Sequence, residues 1–455
     1  MRPIHDMLEE YAFSMPLRMH MPGHKGRMPY GPWSWTLDVT ELAGTDDLRH
    51  PLRGIEAAQT LAARAFGASR TFFLVNGATS GLHALLWTLR PGERVIVSRE
   101  CHLSVIHGII MAGLEPVYVE PEWDEEQEIC LGMTPAGLRK ALAAGPAKAV
   151  LATSPNYYGY GCSASLLARM AHDAGAEFWV DQAHGAHWPF YGGLPEDAGK
   201  AGADAFVMSA HKTLPAPTQC AYLHVISRTL AERVDETLSR IQTTSPSFLL
   251  LGALDDARCF MEEQGGERLR RLYAACRQME GGLGKGLRAL KERPGFVRDR
   301  TRIAVDVTER GWTGHEAAAW LEGRGVLAEM ADERRVVFLT SVMDEPEDVK
   351  RMGDVMNTLP RRAAGKRHGH PRFHPELWAA GEVCGIPDGG KERVPLEQAA
   401  GRIAAGSAGA YPPGVPLILP GERIRGKVLE YMVETAKLGG KLFGVNGGIT
   451  VFKEA

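Results

Sequence analysis

Glu177-Phe178-Trp179-Val180-Asp181-Gln182-Ala183-His184 and, further on, Ala205-Phe206-Val207-Met208-Ser209-Ala210-His211-Lys212-Thr213 follow one plan: an apolar run that ends on polar side chains. Such a run reads as a strand buried on both faces, as in parallel sheets covered by helices. The plan recurs at Phe72 to Val75, Arg94 to Ser98, Val117 to Glu120, Ala149 to Thr153 and Tyr222 to Val225. Helix-like stretches lie between at Gly81 to Leu89, Leu103 to Met111, Pro135 to Ala143 and Ser165 to Ala174. The alternation predicts an α/β fold with a mostly parallel central sheet and helices on both faces. In such sheets ligands sit at the carboxyl ends of the strands, which gives weight to the residues just beyond each run.

After Val225 the pattern turns to charged helices, predicted over Leu230 to Arg240 and Arg268 to Leu290, and then to strands at Arg302 to Val307 and Arg335 to Thr340. A final helix is predicted from Glu422 to Leu438. The expected division is an N-terminal segment 1–50, a large domain 51–300 and a smaller α+β C-terminal domain 301–455, with a connector at 361–393 rich in Arg, Lys, His and Gly. The 455 residues hold 52 Lys+Arg against 55 Asp+Glu, a balance that gives no pull toward nucleic acid or anionic membrane. No run approaches the ~20 apolar residues of a membrane span, and Met1 to Tyr11 is too charged for a signal peptide. Seven scattered cysteines without a Cys-x-x-Cys pair suit a reducing cytoplasm.

The chemistry lies at four strand ends. Lys212, flanked by hydroxyl and imidazole groups, has the setting of a Schiff-base lysine, although alone it reads more simply as a surface lysine after a core strand. Asp181 closes an apolar strand, where a carboxylate is costly unless it meets a cation such as a protonated pyridine nitrogen. A helix cap, or a metal ligand with His184 and His187, is the alternative; no metal site is expected, because no further ligands cluster nearby. Asn76-Gly77-Ala78-Thr79-Ser80-Gly81 lies between a strand and a helix, where free N–H groups can receive a phosphate. It lacks the lysine of a P-loop and the glycine spacing of a dinucleotide turn. His102, beyond the next strand, could lie flat on a planar cofactor or simply start a helix. Pyridoxal 5'-phosphate uses all of these pieces.

The chain resembles the Orn/Lys/Arg decarboxylase family of fold type I pyridoxal-phosphate enzymes, in its short bacterial form without the N-terminal receiver-like domain. Met21-Pro22-Gly23-His24-Lys25-Gly26, Asp38-Val39-Thr40-Glu41-Leu42, Asp46-Asp47-Leu48 and Phe72 to Gly77 carry the likeness. So do Tyr157-Tyr158-Gly159, Asp181 to His187, Ser209 to Pro215, Tyr411-Pro412-Pro413-Gly414 and Pro420-Gly421-Glu422. Gln182 and Leu82 depart from the family pattern.

The resemblance implies that Lys212 carries the cofactor, Asp181 meets its ring nitrogen, His102 stacks on the ring and His184 lies beside it. Ser209, His211, Ala78 and Thr79 would hold the phosphate. It further implies decarboxylation of a basic L-amino acid (arginine, lysine or ornithine) by a cytoplasmic homodimer, with polyamine biosynthesis as its setting. For the cationic tail of the substrate the candidate is Glu422, with Asp46 and Asp47 behind it; each also reads as a capping or solvated carboxylate. An aminotransferase or a non-catalytic cofactor-binding homologue remains the alternative.

Overall fold

The computed structural model describes residues 1–13, 35–42, 44–362, 373, 375–378, 382, 389–411, 415–437 and 441–453. Met21 to Gly26, Pro412 to Gly414, Leu438 and most of the 361–393 connector lie outside the described residues.

Seven strands form the central sheet: β1 (Arg70–Leu74), β2 (Arg94–Ser98), β3 (Glu115–Val119), β4 (Ala149–Thr153), β5 (Glu177–Asp181), β6 (Ala205–Ser209) and β7 (Ala221–Val225). Their order is β1-β7-β6-β5-β4-β2-β3. The five strands from β6 to β3 are parallel, whereas β7 runs antiparallel to both β6 and β1. Residue alternation sends side chains to opposite faces. On β5, Phe178 and Val180 enter one apolar cluster and Trp179 the other; on β6, Phe206 and Met208 part from Ala205 and Val207 in the same way. Each large side chain so buried contributes about 1.5–3 kcal/mol, which helps offset the cost of carrying Asp181 at the end of its strand.

Because β1 is antiparallel to an antiparallel strand, it points the same way as the parallel set. Leu74 pairs with Ala221 and Ala221 with Ser209. The end of β1, the ends of β2 and β4 to β6, and the start of β7 therefore share one edge.

A second, antiparallel sheet holds β8 (Arg288–Ala289), β9 (Arg302–Asp306), β10 (Met330–Ala331) and β11 (Arg335–Leu339) in the order β8-β9-β11-β10. Its Ile303, Val305, Val336 and Phe338 join the cluster that holds Phe178 and Phe206. Leu396, Ile418, Ile424, Val428, Met432 and Val451 form a separate apolar core.

Several expectations need correction, among them the start of the helix expected at Gly81, which lies at Gly77. The helix expected over Arg268 to Leu290 spans Gly266–Gly281, ending where Gly281, Gly282 and Gly284 favour a turn, and Arg288–Ala289 is a strand. The last helix begins at Gly426, so Glu422 sits in the preceding turn. The segment before residue 50 contains a helix, Pro3–Phe13, and Phe248–Phe260 forms another that the sequence reading missed.

Candidate active site

The shared sheet edge opens into a cavity of about 350 Å³. Ala78, Thr79, His102, Asp181, His184, Ser209, His211 and Lys212, all expected at a site, line it together.

Lys212 rides on a single helical turn, Ala210–Thr213, directly after β6. Its Nζ lies 3.0 Å from Nε2 of His184. The other ring nitrogen, Nδ1, receives a hydrogen bond from Arg302 Nη2 at 2.8 Å. Burial holds the Lys212 amine below the ordinary lysine range; Asp181 opposes this and Arg302 adds to it. Burial, with Lys212 and Arg302 as neighbours, also keeps His184 well below the usual histidine range, so its ring is neutral. Asp181 is 4% exposed, accepts from the N–H of Ala183 at 3.1 Å, and forms no ion pair with any described residue.

At the other end, the helix Gly77–Leu86 starts with Asn76 making no side-chain cap. As early helical residues, Ala78 and Thr79 have N–H groups without intrahelical acceptors, and these meet the positive end of the helix dipole. Ser209 likewise makes no cap bond at the head of its own turn. His211 donates from Nδ1 to the carbonyl of Cys220 at 3.1 Å, which orients its ring. These groups form a cradle suited to an anion.

Of the two readings offered for His102, the structure shows the helix start. The residue is the N-cap of the helix Leu103–Ala112, and its Nδ1 accepts from the N–H of Ser104 at 3.2 Å with Ser104 Oγ 2.8 Å away. The cap fixes the ring while it remains exposed to the cavity.

Residues 2–276 match the profile of the Orn/Lys/Arg decarboxylase major domain, and residues 381–449 match the C-terminal domain of the same description. The chain belongs to the Orn/Lys/Arg decarboxylase family. It is an amino-acid decarboxylase, a carbon–carbon lyase. It is 30% identical to an arginine decarboxylase of Bacillus subtilis, the match covering 96% of this chain and 94% of that one. An arginine decarboxylase of Bacillus anthracis is 31% identical over 96% and 93% of the two chains. The structure of the Francisella novicida lysine decarboxylase LdcF shares the fold at a TM-score of 0.83 and 17% identity, covering 100% of this chain and 81% of that one.

In this decarboxylase Glu422 stands away from the cavity lining. Its carboxylate accepts from the N–H of Leu419 at 3.1 Å and pairs with Arg99 at 3.5 Å, both partners being buried. Arg99 also donates to the carbonyls of Pro416 and Leu417 at 2.8 and 3.2 Å, tying that segment to the end of β2. Asp46 accepts from the N–H groups of Leu52, Arg53 and Ile55 at the head of the helix Gly54–Phe66, and Asp47 accepts from Arg49 N. Neither lines the cavity. Gln182, a departure from the family pattern, braces its loop: Oε1 accepts from Ala198 N at 2.8 Å and Nε2 donates to the carbonyl of Gly185 at 3.0 Å.

The sequence reading missed Glu100, Cys130, Thr218, Gln219 and Arg302. Glu100 is the only carboxylic residue besides Asp181 among the described lining residues. It accepts from Ser98 Oγ at 3.1 Å and from the thiol of Cys130, and burial pushes its carboxyl up to about 7 against both bonds. An acidic residue just past a buried strand was the available signal. For Thr218 and Gln219 there was none at a strand's carboxyl end, because they precede the antiparallel β7.

Proposed function

We propose that the protein is a pyridoxal-phosphate-dependent decarboxylase of a basic L-amino acid, arginine first among arginine, lysine and ornithine. The observation that carries this reading is Asp181: a buried carboxylate with no described ion-pair partner lines the same cavity as Lys212. A cation is the missing partner of such a group, and a pyridinium nitrogen supplies one. The uncapped helix start by Ala78 and Thr79, with Ser209 and His211, fits the phosphate end of the same molecule. Arginine is put first because two relatives of matching length bear the name arginine decarboxylase.

When bound, pyridoxal phosphate supplies an electron sink to the bonds at the substrate Cα. The residues of the chain do the rest. Lys212, with its amine biased toward the uncharged form, serves as the nucleophile toward an aldehyde and then as a proton carrier beside Cα. The Asp181 carboxylate would meet the ring nitrogen and favour a proton on it, and His102, fixed by its cap, limits how a flat molecule can lie. Leu82, Pro155, Ala183 and Val415 give the cavity apolar wall, where a substrate carboxylate is poorly solvated and its loss is favoured. An aminotransferase would want an arginine for that carboxylate, and among the described lining residues there is none.

A homodimer in the cytoplasm belongs to the same reading. The six described cysteines are free, which suits a reducing compartment. The test is to record the visible spectrum with pyridoxal phosphate and then supply arginine, lysine and ornithine separately, following carbon dioxide and the amine formed. A lysine-bound band with agmatine as product is the expected result. The band with keto acid and no carbon dioxide would establish the aminotransferase instead, and absence of any band would remove the cofactor.

A further inference from the structure

Arg302 is 2% exposed, forms no ion pair with any described residue, and leaves Nη1 without a hydrogen-bond partner. A buried guanidinium so poorly matched is costly to the fold. Its one strong bond is the 2.8 Å contact with His184 Nδ1.

The backbone makes room for this placement. Gly159 has φ +86°, and a Cβ there would stand 2.8 Å from Arg302 Cβ and 2.9 Å from the carbonyl of Asp299. The ring of Tyr157 lies 5.9 Å from the guanidinium carbon and 4.8 Å from the His184 ring. The Tyr157-Tyr158-Gly159 segment therefore frames the Arg302–His184 contact.

A guanidinium has donors and no acceptor, so Nδ1 of His184 must accept. A neutral imidazole has one accepting nitrogen, which leaves the proton on Nε2. That nitrogen faces Lys212 Nζ at 3.0 Å. An N–H pointing at an amine requires a lone pair on the amine; an ammonium would set proton against proton.

We infer that Arg302 is a positioning residue for Lys212: it fixes the imidazole of His184 with its proton on Nε2, so that the ring donates to the lysine rather than accepting from it. The inference rests on the reading of Lys212 as the cofactor lysine. Around the amine, Asp181 and Glu329 favour the ammonium, while Arg302, the third charged neighbour of Lys212, opposes it. His102 and His211 complete the basic neighbours of His184. Arg302 acts from the second sheet, through one ring, on a lysine carried by the first.

The test uses the whole protein freed of cofactor. Rates of formation of the lysine-bound band with added pyridoxal phosphate are measured against pH for the unaltered protein and for Arg302→Gln, Arg302→Lys and Gly159→Ala. Arg302→Gln should move the midpoint up by about one pH unit or more. Arg302→Lys should recover part of the shift, and Gly159→Ala, which displaces the arginine without removing its charge, should move the midpoint in the same direction by less. In parallel, nitrogen-15 spectra of histidine-labelled protein, with His184 assigned through His184→Gln, should show Nε2 protonated and Nδ1 unprotonated. Equal midpoints for Arg302→Gln and the unaltered protein would overturn the inference. So would a proton on Nδ1 of His184 in the unaltered protein, which decides the matter even if no variant folds. Lys212→Ala is the control: if it still gives the band, the reading of Lys212 fails, separately from that of Arg302.

Discussion

The N–H of Gly77 donates to the carbonyl of Gln219 at 2.9 Å, and both residues carry positive φ, 72° and 81°. Glycine adopts that conformation freely; glutamine does so at a cost of order 1–3 kcal/mol, and such strain collects at ligand-binding sites. The bond joins the start of the Gly77–Leu86 helix to the loop before β7, so the shape of the anion cradle depends on it. Gln219→Gly should leave thermal stability equal or raise it by up to about 1 kcal/mol. Gln219→Val, β-branched at positive φ, should lower it by about 2 kcal/mol and weaken retention of pyridoxal phosphate. Thermal unfolding with a cofactor titration separates the two effects, and equal behaviour of both variants would refute the role given to this loop.

Lys212→Ala should abolish both the visible band and carbon dioxide release. Asp181→Asn, which keeps the shape of the side chain and removes its charge, should loosen the cofactor and slow turnover by at least about 10²-fold. Absorbance at saturating pyridoxal phosphate, read beside carbon dioxide evolution, distinguishes lost binding from lost chemistry.

Burial holds His224 down to about 3 from an ordinary 6.5. Its Nδ1 lies 2.8 Å from Thr71 Oγ1 and its ring lies among Phe66, Phe206 and Tyr222. Between pH 6.5 and about 3 the unfolded chain binds a proton there that the folded chain refuses, so stability falls as pH falls, by about 1.4 kcal/mol per unit. Because other groups titrate in the same range, the slope is read from the stability difference between the unaltered protein and His224→Phe, by denaturant unfolding at a series of pH values. A difference that does not change with pH would show that His224 is protonated in the fold.

Glu100 gives the opposite slope. Its carboxyl stays protonated up to about 7 in the folded protein, whereas the unfolded chain releases that proton from about 4.5 upward, so stability falls as pH rises between those values. Glu100→Gln keeps the hydrogen-bonding shape without the titration, and its gain over the unaltered protein should grow from pH 5 to pH 8. A gain that does not change with pH would show that Glu100 is ionised in the fold.

Glu422→Gln leaves the buried Arg99 guanidinium without its carboxylate, and a loss of about 3 kcal/mol is expected. The change should appear in the unfolding temperature more than in KM for the amino acid. A KM rise at unchanged stability would instead place Glu422 on the substrate.

The legible parts of the sequence were those in which burial alone dictates the pattern. β2, β4, β5 and β6 occupy the expected spans, because strands covered on both faces must be apolar throughout. The residues after them were visible as candidates for the same reason: Asp181 closes one apolar run and Lys212 closely follows another. What the sequence hid came from directions and distant partners. Thr218 and Gln219 reach the cavity from the amino end of β7, since that strand runs backwards, and Arg302 reads as the first residue of a strand until the fold brings it to His184. Glu422 looked free to meet a substrate because nothing in sequence ties it to Arg99, 323 positions away.

Ile303 and Phe338 share an apolar cluster with Phe178 and Phe206, whereas Leu396, Ile424 and Val451 belong to another. The peptide groups around Lys212, His184 and Arg302 should therefore surrender their protons to deuterated water only when the main body of the molecule opens as a whole. Those of the 396–451 body can exchange through smaller openings of their own. Val415, in the chain of this second body and tied to the first through the bonds of Arg99 to Pro416 and Leu417, gives the cavity one wall whose lifetime is set apart from the rest.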